Sequence, residues 1–113
     1  MAKLTREKIL AAQLRTKEIE VPQWEGTVVI SEMPVGKRNQ LLASMMDSEG
    51  KVKVNAEIEL NLFIAGMRDP EFSPDDAQQL QAVSGAAVSF VAQEIMKLNG
   101  MAPDAQDGAR GES

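Results

Sequence analysis

The stretch from residue 18 to residue 33, EIEVPQWEGTVVISEM, constrains the fold most strongly, because it has the pattern of a β-hairpin. Ile19 and Val21 alternate with acidic residues, as in a strand with one buried face. Residues 27–30, TVVI, form a largely β-branched run that suits a second strand. A lone hairpin is marginal in water, so the rest of the chain is expected to cover its apolar face.

The segment between the two strands, residues 22–26, has the composition of a turn. Pro22 ends the first strand because it has no N–H to donate, and Gly26 is expected to take the positive φ angle. Trp24, the single tryptophan, lies within this turn. It is predicted either to anchor the turn on the last helix or to stand exposed as an interface residue.

The composition removes several classes of function. The 113 residues include no cysteine and no histidine, which excludes disulfides, thiolate metal sites and the commonest general base. No apolar run approaches the roughly 20 residues of a membrane span, and residues 1–6 do not begin a signal peptide. We therefore expect a non-enzymatic cytoplasmic protein, with a single domain over residues 1–101 and a disordered polar tail over residues 102–113.

The charge is unevenly distributed along the chain. Residues 1–17 carry five basic residues and one acidic residue, so the net charge of −5 leaves −9 for the remainder. An acidic body argues against nucleic-acid binding, which needs many contacts from Lys and Arg to phosphates. The basic segment is compatible with a phosphate-binding arm. The preferred prediction is a solvated helix face, or a patch that meets an acidic surface on a neighbour, which would allow head-to-tail homo-oligomers.

One amphipathic helix is predicted before the hairpin and another after it. Thr5 is a good N-cap for a helix over residues 4–15, whose short apolar stripe is expected to dock on the body or on a partner. A second helix is predicted over residues 35–47. Its apolar stripe consists of Val35, Leu41, Leu42, Met45 and Met46.

Residues 51–64 are ambiguous. Apolar residues alternate with polar ones from Val52 to Ile64, which locally favours a strand. The same segment read at helical spacing puts Leu60, Phe63 and Ile64 on one face, with Asn55 as a possible cap.

The C-terminal half predicts a loop followed by a long helix. Residues 66–76 contain two turn-forming proline pairs, and Ser73 with the acidic residues after it forms a strong helix start. One helix is predicted from there to about Asn99, where Asn-Gly is a stop signal. The small residues 85–87 are expected to let another element approach closely.

One acidic cluster could hold a hard cation and support a metal-dependent enzyme. It consists of Asp69, Glu71, Asp75 and Asp76. Because Asp75 and Asp76 suit the first turn of a helix and Asp69 suits a turn, we expect no metal and no cofactor.

Seven methionines are many for a chain of this size. Methionine side chains fill irregular cores and also recur on surfaces that bind several partners, so both roles stay open. The candidate partner-binding residues are Trp24, Met45, Met46, Met67 and Met96.

The order of these segments resembles that of the phage tail assembly chaperones. Residues 15–28, RTKEIEVPQWEGTV, are similar to the family's opening R-T-x-E-V-x-V-P-E-W-G-G-T-V. Residues 30–33 (ISEM), 67–70 (MRDP) and 98–101 (LNGM) resemble later family segments, so the likeness covers about residues 10–101. The chain departs from the family in having Glu-Gly after the tryptophan, and Pro-Glu-Phe where the family has a D-x-G-K hairpin.

The resemblance implies a fold. Family members look helical at the positions of residues 55–66, so the resemblance favours helix in the ambiguous segment. The expected class is α+β, with an N-terminal helix, a β-hairpin, a small bundle of about three helices and the disordered tail.

The resemblance also implies a function. Such chaperones are thought to bind the long tape-measure protein, keep it soluble in the cytoplasm of the bacterial host and help to recruit tail-tube subunits. The alternative is a structural tail or head-tail connector component that remains in the virion.

Overall fold

The predicted hairpin forms the first two strands of a three-stranded antiparallel sheet with the order β1-β2-β3. This computed structural model describes residues 3–101. Strand β1 (Thr16–Val21) pairs with β2 (Gly26–Ser31) in a register that sets Ile19 opposite Val28. Ile19, Val21 and Ile30 are buried, whereas Glu18 and Glu20 are exposed, so one face of the hairpin lies on the core as its alternation predicts.

The prediction for the turn is wrong in one respect. A short 3₁₀ helix (Pro22–Trp24) connects the strands, and the positive φ angle, 52°, belongs to Glu25. The Glu25 N–H donates to the carbonyl of Pro22 at 3.2 Å, which closes the 3₁₀ turn there. Gly26 is already extended, because it pairs with Val21 as the first residue of β2.

The third strand lies in a segment that was predicted to be a loop. Strand β3 (Met67–Asp69) pairs with β2 through Met67 opposite Ile30 and Asp69 opposite Val29. Three residues are too few to carry a period of two, so only the pairing with a distant strand defines this element.

Residues 55–66 are helical, as the resemblance implies and against the local alternation. Helix α3 (Ala56–Gly66) begins at Asn55, whose Oδ1 accepts a hydrogen bond from the Ile58 N–H at 2.9 Å. Leu62 and Phe63 are fully buried, and Leu60 is only partly buried. The apolar alternation therefore reflects a helix covered on more than one side.

The long C-terminal helix is interrupted. The capping box of Ser73 and Asp76 starts a 3₁₀ turn (Pro74–Asp76) that continues as α4 (Ala77–Leu80). The chain then leaves helical geometry, and α5 (Gly85–Leu98) begins anew at Ser84, whose hydroxyl accepts from the Ala87 N–H at 3.1 Å. The prediction of one continuous helix is thus wrong.

Of the small residues 85–87, at which a close approach was predicted, only Ala87 is buried. A Cβ atom placed on Gly85 would meet nothing within 4 Å, because this residue lies at the exposed start of α5. A Cβ on Gly66 would lie 2.5 Å from the side chain of Ile95. Helices α3 and α5 are therefore in close contact where α3 ends.

The end of α5 is tied to the exit of the sheet. Gly100 has a φ angle of 66°, as the Asn-Gly stop signal predicts. The buried side chain of Asn99 accepts from the Met33 N–H at 2.7 Å and donates to the Ile95 carbonyl at 2.8 Å. This amide holds the segment between β2 and the next helix against α5.

The remaining helices frame this core. Helix α2 (Val35–Met45) ends two residues before its predicted limit and buries Leu41 and Met45. Helix α1 (Arg6–Ala11) is shorter than predicted and precedes the sheet.

The mixture of helices with an antiparallel sheet confirms the α+β class, and the buried apolar residues form one cluster. The predicted disordered tail, residues 102–113, lies outside the described residues.

Within residues 3–101, none of the helices combines the length and the hydrophobicity that crossing a membrane requires.

Candidate partner-binding surfaces

The N-terminal arm, which we define as residues 3–14, exposes its apolar side chains. Thr5 caps α1 as predicted, because its hydroxyl accepts from the Lys8 N–H at 3.2 Å. Leu4 and Leu10 are 72% and 68% exposed, and α1 buries none of its residues. A six-residue helix gains little stability from its own hydrogen bonds and usually depends on packing against the rest of the protein. Helix α1 lacks such packing. The helix was expected to dock on the body of the same chain or on a partner, and it buries none of its residues on the body.

Basic residues accompany these apolar side chains. Lys3, Arg6 and Lys8 take part in none of the ion pairs among the described residues. The arm thus presents an apolar and basic surface to solvent. An acidic, partly apolar partner surface would complement both properties.

A double connection between Arg15 and Glu32 fixes the base of the arm. The Glu32 carboxylate accepts from the Arg15 backbone N–H at 2.7 Å and from its Nε at 3.1 Å. The Glu32 N–H in turn donates to the Arg15 carbonyl at 2.8 Å. The hydrogen bond from the Arg15 backbone, reinforced by its guanidinium, lowers the pKa of Glu32 below 4.5 despite some desolvation. Sequence analysis missed this pair because no local pattern links residues 17 positions apart.

The Trp24 ring contacts α3, whereas the predicted anchor was the last helix. The ring meets Phe63 of α3 edge-on, with centroids 6.1 Å apart and planes at 75°, and Phe63 also contacts Phe72 at 5.3 Å. The 3₁₀ turn that carries Trp24 also lies beside α5. With 38% of its surface exposed, Trp24 is accessible, and its role at an interface stays a prediction.

The candidate methionines separate into two groups. Met45, Met67 and Met96 are buried in the core, where the flexible thioether chain fills space between the sheet and the helices. Met46 follows α2 and is 48% exposed. Binding by the three buried residues stays a prediction that would require the core to open, whereas Met46 is accessible as the chain stands.

The acidic cluster is divided among separate structural roles. Asp76 accepts from the Ser73 N–H at 2.8 Å in the capping box, and Asp69 pairs with β2 as part of β3. Over residues 3–101, no three carboxylates come together in a group that could hold a metal ion. Asp76 therefore has the predicted position at a helix start, whereas Asp69 lies in a strand and not in the predicted turn.

Taken together, the described residues define a small α+β protein whose accessible features are an apolar, basic arm and scattered apolar side chains. No protein-family model and no curated protein matches the chain. Among solved structures, the chain is similar to the tail assembly chaperone of bacteriophage HK97, with a TM-score of 0.56 and 24% sequence identity. The match covers 81% of this chain and 94% of that one. The predicted likeness to a phage tail assembly chaperone is thereby confirmed at the level of the fold.

Proposed function

We propose that this protein is a phage tail assembly chaperone that acts without catalysis in the cytoplasm of the bacterial host. Its client is the tape-measure protein, which it keeps soluble while tail-tube subunits are recruited. The fold shared with the tail assembly chaperone of bacteriophage HK97 supports this role.

The observation that carries the proposal is the uncovered arm. Leu4, Ile9, Leu10 and Leu14 are exposed large apolar residues that precede the sheet. Covering such side chains contributes about 1.5–3 kcal/mol for each one that becomes fully buried. A protein that binds apolar segments of a client needs a surface of this kind on a charged, soluble body.

The base of the arm suits the same role. The hydrogen bonds between Arg15 and Glu32 set where the arm leaves the sheet, while residues 3–14 remain exposed. A fixed origin lowers the entropy that must be lost when an exposed segment is ordered on a partner.

Co-expression with the tape-measure protein tests the proposal. The expected result is that the tape-measure protein moves from the insoluble to the soluble fraction and co-purifies with the chaperone. An equally acidic small protein that lacks this fold is the control. If the tape-measure protein stays insoluble with both, the proposed function is wrong.

Mass spectrometry of purified particles separates this role from that of a structural tail or connector component. An assembly chaperone is expected to be absent from finished virions. A stoichiometric amount in the particles would instead favour the structural role.

A further inference from the structure

A second surface with apolar residues is a groove lined by residues of α3, of α4 and α5, and of the segment between α4 and α5. The break between α4 and α5 contributes Gln81 and Val83 to the lining. Its larger apolar lining residues are Leu60, Leu80, Val83 and Val88, and its volume is about 740 Å³. We call this surface the α3–α5 groove.

The charged residues that line the α3–α5 groove are all acidic. Glu57 and Glu59 contribute carboxylates from the first turn of α3, and no Lys or Arg lines the groove. Glu59 accepts a hydrogen bond from the Ser89 hydroxyl at 2.8 Å, which connects α3 to α5 across the groove. Neither carboxylate belongs to an ion pair of the described chain. An occupant with positive charge would complement this surface.

The lining also favours a helical occupant. It comes from helices and their termini, in which backbone groups are largely bonded within the helix, and it includes no strand edge. An extended peptide gains affinity mainly by hydrogen bonding to a free strand edge. An amphipathic helix satisfies its own backbone and needs only side-chain contacts, so it suits such a groove.

We propose that the α3–α5 groove binds an amphipathic client helix that carries Lys or Arg beside its apolar stripe. The inference deepens the proposed function and rests on it, since the groove would hold a basic segment of the client while the arm contacts a different segment. Val83, 39% exposed in the break between α4 and α5, lies against the apolar stripe. Glu57 and Glu59 pair with the basic flank, which selects basic helices over acidic ones.

The test is a titration of the full-length protein with two synthetic 18-residue helices that share one leucine stripe. One helix carries lysines beside the stripe and the other carries glutamates. The lysine helix is expected to bind at least tenfold more tightly in a fluorescence anisotropy assay. Equal binding of both helices, or tighter binding of the glutamate helix, would overturn the inference.

Matched variants locate the binding site. Val83→Asp should weaken binding of the lysine helix at least tenfold, whereas Val54→Asp, at a valine that is 41% exposed and does not line the groove, should leave it unchanged. Both side chains are accessible, so circular dichroism should find both variants folded. Equal losses in the two variants would place binding elsewhere and contradict the inference.

A charge reversal provides a second discrimination. Glu57→Lys should weaken the lysine helix and strengthen the glutamate helix, and Glu18→Lys on the exposed side of β1 should do neither. Light scattering during the titration identifies the competing occupant, the basic arm of a second copy. A dimer that Val83→Asp dissociates would assign the groove to that arm and overturn the inference.

The two proposals can fail separately. If the lysine helix binds as expected but the tape-measure protein is not kept soluble, the groove has the inferred chemistry and the proposed client is wrong. If the tape-measure protein is kept soluble equally well by wild type and by Val83→Asp, the proposed function stands and the groove is not the binding site.

Discussion

Helices α1 and α5 both carry apolar stripes in the sequence, yet the protein uses them in opposite ways. Helix α5 buries Val91 and Ile95 completely, and it packs against α3 and the sheet. Helix α1 buries none of its residues, although Ile9 and Leu10 are as apolar as their counterparts in α5. Periodicity therefore identifies the apolar face of a helix, but it does not tell whether the same chain covers that face.

This difference separates two uses of apolar surface. In α5 the surface stabilises the monomer, whereas in α1 it remains free to contact another molecule. Substitutions should consequently affect stability in one helix and binding in the other.

The largest expected effect comes from one matched pair of isoleucines. Ile95→Ala should lower the free energy of unfolding by about 2–5 kcal/mol, because it leaves a cavity at a fully buried position. Ile9→Ala should change it by no more than about 0.5 kcal/mol, since Ile9 is largely exposed. Urea unfolding of both variants measures the difference. Similar losses would mean that α1 packs on the body in solution.

Substitutions at two glycines test how tightly α5 packs against α3. Gly66→Ala should destabilise the protein by about 1–3 kcal/mol, because the new Cβ meets the buried Ile95 side chain at 2.5 Å. Gly36→Ala serves as the control, since a Cβ there meets nothing within 4 Å, and it should cause no loss. If Gly66→Ala is equally harmless in thermal unfolding, α3 and α5 are farther apart than described.

The junction between arm and sheet should respond to acid. The pKa of Glu32 is lower in the folded protein than in the unfolded chain. Its carboxylate therefore stabilises the fold at pH values above the unfolded pKa of about 4.5. That contribution is lost as the pH falls through the lower, folded pKa. Hydrogen exchange of the Arg15 amide, corrected for intrinsic rates, should therefore speed up in acid while exchange in α5 does not.

Glu32→Gln is the control for this pH dependence. The amide keeps an acceptor oxygen for Arg15 but cannot titrate, so the acid-induced change at the Arg15 amide should disappear. Asp47, whose pKa is lowered mainly by the backbone N–H of Lys51, should titrate as before in this variant. Persistence of the change in Glu32→Gln would assign it to another group.

Much of the fold follows from local sequence, and the misses have physical causes. The hairpin follows from alternation, and the caps at Thr5 and Asn55 follow from their side-chain oxygens. The break before α5 had a local signal, Ser84 followed by Gly85, which the surrounding apolar periodicity obscured. Strand β3 had no such signal, because it is defined by hydrogen bonds to a strand that lies almost 40 residues earlier.

The candidate binding residues were harder to predict. Burial of Met45, Met67 and Met96 depends on how the helices pack around the sheet, which a methionine count does not reveal. Exposure of the arm depends in the same way on the absence of a covering element among the described residues. Charge was more informative, since the basic character of the first 17 residues coincides with the exposed arm.

The most direct test of the uncovered arm combines urea unfolding with co-expression of the tape-measure protein. The variant carries Leu4→Ser, Ile9→Ser and Leu10→Ser together. The control is Val35→Ser, at a valine that is 72% exposed and lies outside the arm. The prediction is that the triple variant unfolds at the wild-type urea concentration but no longer keeps the tape-measure protein soluble, whereas the control retains both properties. A triple variant that loses stability yet still solubilises the tape-measure protein would contradict it.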